Sequence, residues 1–325
     1  MRRLLRYLMS LVLVWPAWMA VAAAEAIVVD DGGRRITVQR PFARIISLYG
    51  AHTENLFFLG AGGQIIGRAR HDDWPPDAAA KPVFSYHDHL EKFLAVQPDL
   101  VLIRPMIDRG YSRLMAQLER HGITVVSLQP NTVAEMFAYW RTLGALVGRE
   151  TQAERMAAQF QTRVAAIRRL TGAVPEKKRV YFEAIHGRMR TFAPGSGALF
   201  ALDVAGGINV AGDAVPRRGT TIADFGKERL LARGDSIDVY LAQVGPMNRP
   251  TVAMIKNEAG YELIRAVRDD QVFLVEEQLV SRPTMRMLSG ICRISRILYP
   301  RLFTDTPDAA ACGADDDAVR VGRME

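Results

Sequence analysis

Short apolar runs alternate with helix-period segments twice in this chain, and a long helical block separates the two series. Before the block, 44–48, 64–67, 99–103 and 124–128 read as strands, and 53–59 and 111–121 as helices. After it, 180–183, 237–242, 251–254 and 271–275 read as strands. The segments 198–205, 228–232, 261–265 and 284–298 read as helices. Such alternation favours parallel sheets covered by helices. The block itself repeats apolar residues at helical spacing over 133–146 and again over 152–170. Met156, Phe160, Val164, Ile167 and Leu170 fall along one stripe of the second segment. That helix is long enough to span a lobe and reads as a stiff link. The expected organisation is α/β: a hairpin over 27–38 and an N-terminal lobe over 27–142, a linking helical segment over 143–172, and a C-terminal lobe over 178–304. Residues 305–325 are rich in Ala, Asp and Gly and read as a disordered tail.

The first residues read as an address and not as part of the fold. Arg2, Arg3 and Arg6 precede an apolar run that ends in small residues. This is the pattern of a secretion signal over 1–24, cleaved near Ala24 or Ala26. No cysteine stands there to take a lipid. The whole chain carries a formal +7, and three of those positive charges lie in the signal, which leaves +4. That surplus, without a basic run interleaved with aromatics, argues against nucleic acid. Export permits a disulfide, but Cys292 falls in a helical pattern and Cys312 in the polar tail, so the expectation leans to two separate cysteines with the pairing left open. Nucleophile-elbow, phosphate-loop and HExxH patterns are all missing, so the reading is of a protein that is not an enzyme.

The run 181–213, YFEAIHGRMRTFAPGSGALFALDVAGGINVAGD, places His186, Arg188 and Arg190 just beyond a strand. Converging basic side chains are a poor core and a good anion receptor. Arg188 and Arg190 alternate and are expected to point the same way. Other polar strand ends lie upstream, in ISLYGAHTENLFFLG and in GRARHDDWP.

In order, RIISLYGAHTENLFFLGAGGQIIGRARHDDWP, HLEKFLAVQPDLVLI, AGGINVA and VFLVEEQLVSRPTMRMLSGICRISRILYP resemble the periplasmic binding proteins that serve ABC importers of iron-siderophore, haem and cobalamin complexes. The resemblance covers about 44–303. It implies two Rossmann-like lobes joined by a long backbone helix, with the ligand in the cleft between them. It also implies a periplasmic protein, monomeric when free, that docks on an inner-membrane permease with a cytoplasmic ATPase. Glu91 and Glu228, one in each lobe, look like the acidic residues that relatives use in that docking.

Loops after strand C-termini line such a cleft. The N-lobe candidates are Tyr49, His52, His71, Trp74, Tyr86, His87 and Arg104. The C-lobe candidates are His186, Arg188, Arg190, Arg217 and Arg282. Several have a structural alternative. His52 could cap a helix, Arg104 could form an internal salt bridge, and Arg282 could pair with Glu276 or Glu277. The arginines suit an anionic ferric siderophore, because a guanidinium gives paired hydrogen bonds to carboxylate-like oxygens. Haem is the second ligand considered, with Tyr86 or His87 as axial ligand, and cobalamin the third. The histidines leave a bare metal open, without a spacing that names one. A structural envelope protein is a further alternative.

Overall fold

The computed structural model describes residues 26–303 and Cys312. The segment read as a secretion signal and nearly all of the tail lie outside the described residues. Strands Ala26–Val29 and Arg35–Val38 form the expected antiparallel hairpin. Asp30 closes its turn, accepting from the backbone N–H groups of Gly32 and Arg34, each at 2.9 Å.

The N-lobe sheet has five parallel strands. Ile45–Ser47 lies at its centre, flanked by Ile65–Ala69 and Leu100–Ile103, with Val83–Phe84 and Thr124–Ser127 at the edges. Strands Ile45–Ser47 and Leu100–Ile103 are wholly buried, as strands covered on both faces must be. The C-lobe sheet has seven strands, and its parallel part orders Arg179–Ile185, Val239–Val244 and Val272–Glu276. Arg179–Ile185 has a divided outer edge. Its first residues pair with Ile208–Asn209 in parallel, and its last pair with Arg190–Phe192 antiparallel.

Two long helices sit between the sheets. Val133–Val147 begins with a capping box, in which the Thr132 side chain accepts from Glu135 N–H and Glu135 reaches back to the Thr132 backbone. It stops at Gly148, whose φ of 66° an L side chain rarely adopts. The next helix, Glu150–Gly172, is the expected link. It buries Ala153, Met156, Ala157, Phe160, Val164, Ile167 and Thr171, spaced at three and four residues as one helical stripe requires. The core it joins is continuous, from Ile45 and Leu102 in the N-lobe to Leu241 and Ile291 in the C-lobe. The link is therefore packed along its length.

Three expectations need correction. Residues 251–254 are not a strand, because Thr251 accepts from Met254 N–H at 3.0 Å and caps helix Val252–Lys256. Residues 186–190 are not a simple extended continuation. A short 3-10 turn, His186–Arg188, is followed by Met189 at φ 48° and then by strand Arg190–Phe192. The two arginines thus sit on different elements and lose the common direction that alternation would give. Finally, Cys292 and Cys312 form a disulfide, with Cα atoms 5.4 Å apart. Arg296 donates to the Cys312 carbonyl, one helical turn beyond Cys292. A polar composition could not reveal that Cys312 lies against this helix.

Phe160 is fully buried in the linking helix and meets Trp140 edge to face at 5.6 Å and Phe200 at 6.3 Å. Phe160→Ala is expected to destabilise the protein by about 3–5 kcal/mol. Urea unfolding checks this, and a loss below about 1 kcal/mol would show that the link is not core.

Candidate functional site

The C-terminal ends of both parallel sheets carry the polar loops, the position where open α/β sheets bind ligands. A joint between the lobes is made by the segment after strand Val272–Glu276. It lies against helix Gly50–Phe58, in which every residue except Phe58 is buried. The Pro283 carbonyl accepts from Asn55 Nδ2 at 3.0 Å and from Trp140 Nε1 at 3.1 Å. Beside it, Arg282 Nη1 donates to Glu54 Oε1 at 2.7 Å, and Arg286 Nη1 lies 3.5 Å from the same oxygen. Glu54 is fully buried. Burial pushes its carboxyl up, against the pull of Arg282 and Arg286. Gly50 leaves room for this clasp, since a Cβ there would fall 2.8 Å from both Arg282 Cζ and Asp72 Oδ1.

Arg282 is therefore held in an inter-lobe ion pair with Glu54, and not with Glu276 or Glu277. Trp74 is committed to the same joint. Its ring lies 5.2 Å from Phe58 and 4.7 Å beneath the Arg286 guanidinium. His52 faces the interior of the N-lobe and is fully buried. Its Nε2 lies 2.9 Å from the Ile103 carbonyl and must carry the proton, which leaves Nδ1 to accept from Tyr139 Oη at 2.7 Å. Burial lowers its pKa to about 4. His52 neither caps its helix through its side chain nor reaches the cleft.

The N-lobe surface that faces outward at the strand ends is aromatic. Tyr86, His87 and Tyr111 cluster with ring centroids 4.6, 4.6 and 5.0 Å apart. Tyr111 Oη lies 3.1 Å from His87 Nδ1. The three line an open depression of about 420 Å³, with His89, Arg113 and Gln117 on its wall. Nearby in the chain order of strand ends, Tyr49 lies partly buried under Arg104, whose guanidinium is 5.1 Å from the ring. Burial raises the Tyr49 hydroxyl, which stays neutral. Arg104 has no carboxylate partner among the described residues; its other contact is Met106 Sδ at 3.8 Å. His71 is exposed.

The C-lobe arginines do not assemble the expected anion receptor. Arg190 and Arg217 both bind Asp224, at 2.8 and 2.9 Å. The Arg217 hydrogen bond, with that of Arg190, holds Asp224 below the usual carboxylate range. Arg188 is exposed in its turn. His186 is buried. Its Nδ1 lies 2.9 Å from Glu183, which also accepts from the Tyr240 hydroxyl, and the Glu183 hydrogen bond raises the His186 pKa. Glu91 and Glu228 are exposed, each in the first turn of a short helix, Leu90–Ala95 and Lys227–Ala232. Among the described residues, no group of three or more His, Cys, Asp and Glu side chains is placed to hold a metal ion.

Glu54 and Arg286 are the residues that sequence reasoning missed. A charged Glu54 inside the apolar run TENLFFLG was one signal. The four-residue spacing of Arg282 and Arg286 was the other.

Two buried groups should give opposed pH dependence. His52, depressed to about 4, resists protonation that the unfolded chain accepts near 6.5, so its contribution is lost as pH falls from 6.5 to about 4. Asp72, raised to about 6 chiefly by burial, holds a proton that the unfolded chain releases near 3.8, so its contribution is lost as pH rises from about 4 to 6. Each is worth roughly 3 kcal/mol across its window. Relative to the native chain, Asp72→Asn should lose stability more steeply on acidification, and His52→Phe less steeply. Denaturant midpoints between pH 4 and 7 measure both, and parallel curves for all three proteins would contradict the assignment.

The chain is 22% identical over 289 residues to an uncharacterised ABC transporter substrate-binding lipoprotein of Bacillus subtilis, covering 86% of this chain and 87% of that one. It is 23% identical over 270 residues to a vitamin B12-binding protein of Vibrio cholerae, covering 79% and 90%. Among solved structures, a periplasmic haem-binding protein from Roseiflexus superposes with a TM-score of 0.67 at 22% identity, covering 80% of this chain and 98% of that one. That likeness speaks for the fold, two lobes with mixed α/β structure. The family described as periplasmic binding protein matches residues 45–279, most of the chain, and this protein belongs to it.

Proposed function

We propose that this protein is the exported substrate-binding component of an ABC importer and that it carries a metal-bearing tetrapyrrole. The observation that carries the reading is the outward-facing cluster of Tyr86, His87 and Tyr111 beside a depression of about 420 Å³. Aromatic faces cover a flat apolar ring well, and phenol or imidazole groups can reach a metal at its centre. Charge pairing points the same way. Arg190, Arg217 and Arg282 each already hold a carboxylate, Asp224 or Glu54, so part of the basic charge that would favour a polyanionic ligand is offset within the protein. The names of the Vibrio cholerae and Roseiflexus proteins, which bind vitamin B12 and haem, lie within this ligand class. A disulfide suits an oxidising compartment outside the cytoplasm.

A ferric siderophore is the second reading, because Arg104 and Arg188 hold no carboxylate among the described residues. Titration of the purified protein with cyanocobalamin, hemin and a ferric siderophore panel separates the two. The tetrapyrrole reading expects binding of cyanocobalamin or hemin, weakened about tenfold or more by a Tyr86→Ala, Tyr111→Ala double variant. Binding of ferric siderophores alone would reject it.

For delivery, Glu91 and Glu228 are proposed to meet basic residues on the permease, one from each lobe. Replacing both with Ala should leave ligand affinity unchanged and lower transport in vesicles that hold the partner permease. Unchanged transport would reject that role.

A further inference from the structure

Each lobe leaves one large apolar side chain bare just beyond a central strand, and the two are placed alike. In the N-lobe, strand Leu100–Ile103 runs into Arg104, Pro105 and Met106. In the C-lobe, strand Val239–Val244 runs into Gly245, Pro246 and Met247. Both strands lie between parallel neighbours, so each Pro-Met pair follows the C-terminal end of an inner strand. Met106 is 45% exposed and Met247 63%, whereas Met115, Met136, Met156, Met285 and Met287 are buried. Among the described residues, no other exposed large apolar side chain directly follows a parallel strand.

Contacts tie both positions to the joint between the lobes. Met106 Sδ lies 3.8 Å from Arg104 Nη2, and Arg104 lies over Tyr49. Tyr49 leads into Gly50, against which Arg282 of the other lobe packs. Met106 also stands in the first turn of helix Pro105–Gly110, which ends at Tyr111 of the aromatic cluster. On the other side, Gly245 N–H donates to the Asn248 carbonyl at 2.8 Å and closes the turn that carries Met247. Asn248 Nδ2 donates to the Gln243 carbonyl at 2.8 Å, and Gln243 Oε1 accepts from Ser281, the neighbour of Arg282, at 2.8 Å. Asn248 Oδ1 accepts from His186 N–H at 2.9 Å. The turn is thus fixed from within by a buried Asn248, and Met247 at its tip is exposed.

An apolar side chain held in water on a fixed turn gains free energy when a ligand covers it. Methionine is unbranched and polarizable and moulds itself to irregular apolar partners. We propose that Met106 and Met247 are a matched pair of ligand contacts, one on each lobe, that cover the apolar surface of the ligand without coordinating its metal. This rests on the tetrapyrrole reading above, under which that surface is the face of the macrocycle.

Peroxide footprinting reads the contact on the native chain. Hydrogen peroxide transfers one oxygen to an accessible thioether sulfur and leaves as water, and peptide mass spectrometry measures the sulfoxide at each methionine. The probes are cyanocobalamin, gallium protoporphyrin, which does not react with peroxide as hemin does, and ferrioxamine B. A bound probe should slow oxidation of Met106 and Met247 about fivefold or more, because susceptibility follows exposure. Met254, 50% exposed on helix Val252–Lys256, is the internal control. That helix ends at Lys256, which pairs with Asp270 ahead of strand Val272–Glu276, at the opposite end of the sheet. Met254 should oxidise equally fast with and without the probe.

Affinity then separates the chemistry. Met106→Gln with Met247→Gln makes both contacts polar and should weaken binding about tenfold or more. Met106→Leu with Met247→Leu should recover most of that loss. Unshifted melting temperatures show that both double variants are folded. If ferrioxamine B alone binds and protects both methionines, the tetrapyrrole reading falls and the paired contact stands. If a tetrapyrrole binds and either methionine oxidises as fast as in the free protein, that reading stands and the paired contact falls. A Gln pair that binds like the native chain, a Leu pair that binds as weakly as the Gln pair, which would assign the sulfur to the metal, or binding of none of the probes also overturns the inference.

Discussion

The arrangement of the two lobes depends on one buried carboxylate. Glu54 sits in a helix whose neighbours are almost all inside; it accepts from Arg282 of the other lobe, and Arg286, which donates to Gln278, lies 3.5 Å from the same oxygen. Removing one partner of such a group strands the others, at about 3–5 kcal/mol. Around it, neutral hydrogen bonds repeat the same connection, with Pro283 held by Asn55 and by Trp140. Trp140 in turn packs on Phe160 of the linking helix. Ion pair, carbonyl clamp and helix core are therefore one joint. It leaves little freedom between the lobes and fixes which side chains can face a ligand.

Fixing the joint decides the chemistry of the cleft by subtraction. Arg282, Arg286 and Trp74 are used to hold the lobes together, and Arg190 and Arg217 are used on Asp224. What stays free of the joint is aromatic and weakly charged: Tyr86, His87 and Tyr111, with Arg104 over Tyr49. A guanidinium paired with a carboxylate of the protein has fewer donors and less net charge left for a ligand. A ring with a hydrogen-bonding edge fits this remainder better than a dense anion does.

Most of the architecture was legible because it rests on local periodicity. The apolar runs of the N-lobe strands, the helical spacing over 133–146 and the stripe from Met156 to Ile167 each declare their element within a few residues. The strand expected over 251–254 failed because Thr251 competes locally as a helix cap. The site was less legible, because its pairings join residues far apart in the chain. Glu54 and Arg282 are 228 positions apart, and His52 meets Tyr139 across 87. Sequence can mark Arg282 as a polar side chain at a strand end. It cannot show that Glu54 is waiting opposite. The Cys292–Cys312 bridge spans only 20 positions and was hidden by the polar composition around Cys312.

The most direct measurement is a crystal structure of the ligand-loaded protein, prepared with whichever tetrapyrrole binds. The account expects Arg282 and Arg286 to stay on Glu54 while Tyr86, Tyr111 and Arg104 touch the ligand. A structure in which Arg282 leaves Glu54 to bind an anionic ligand, with the Tyr86–Tyr111 cluster facing only solvent, would contradict it.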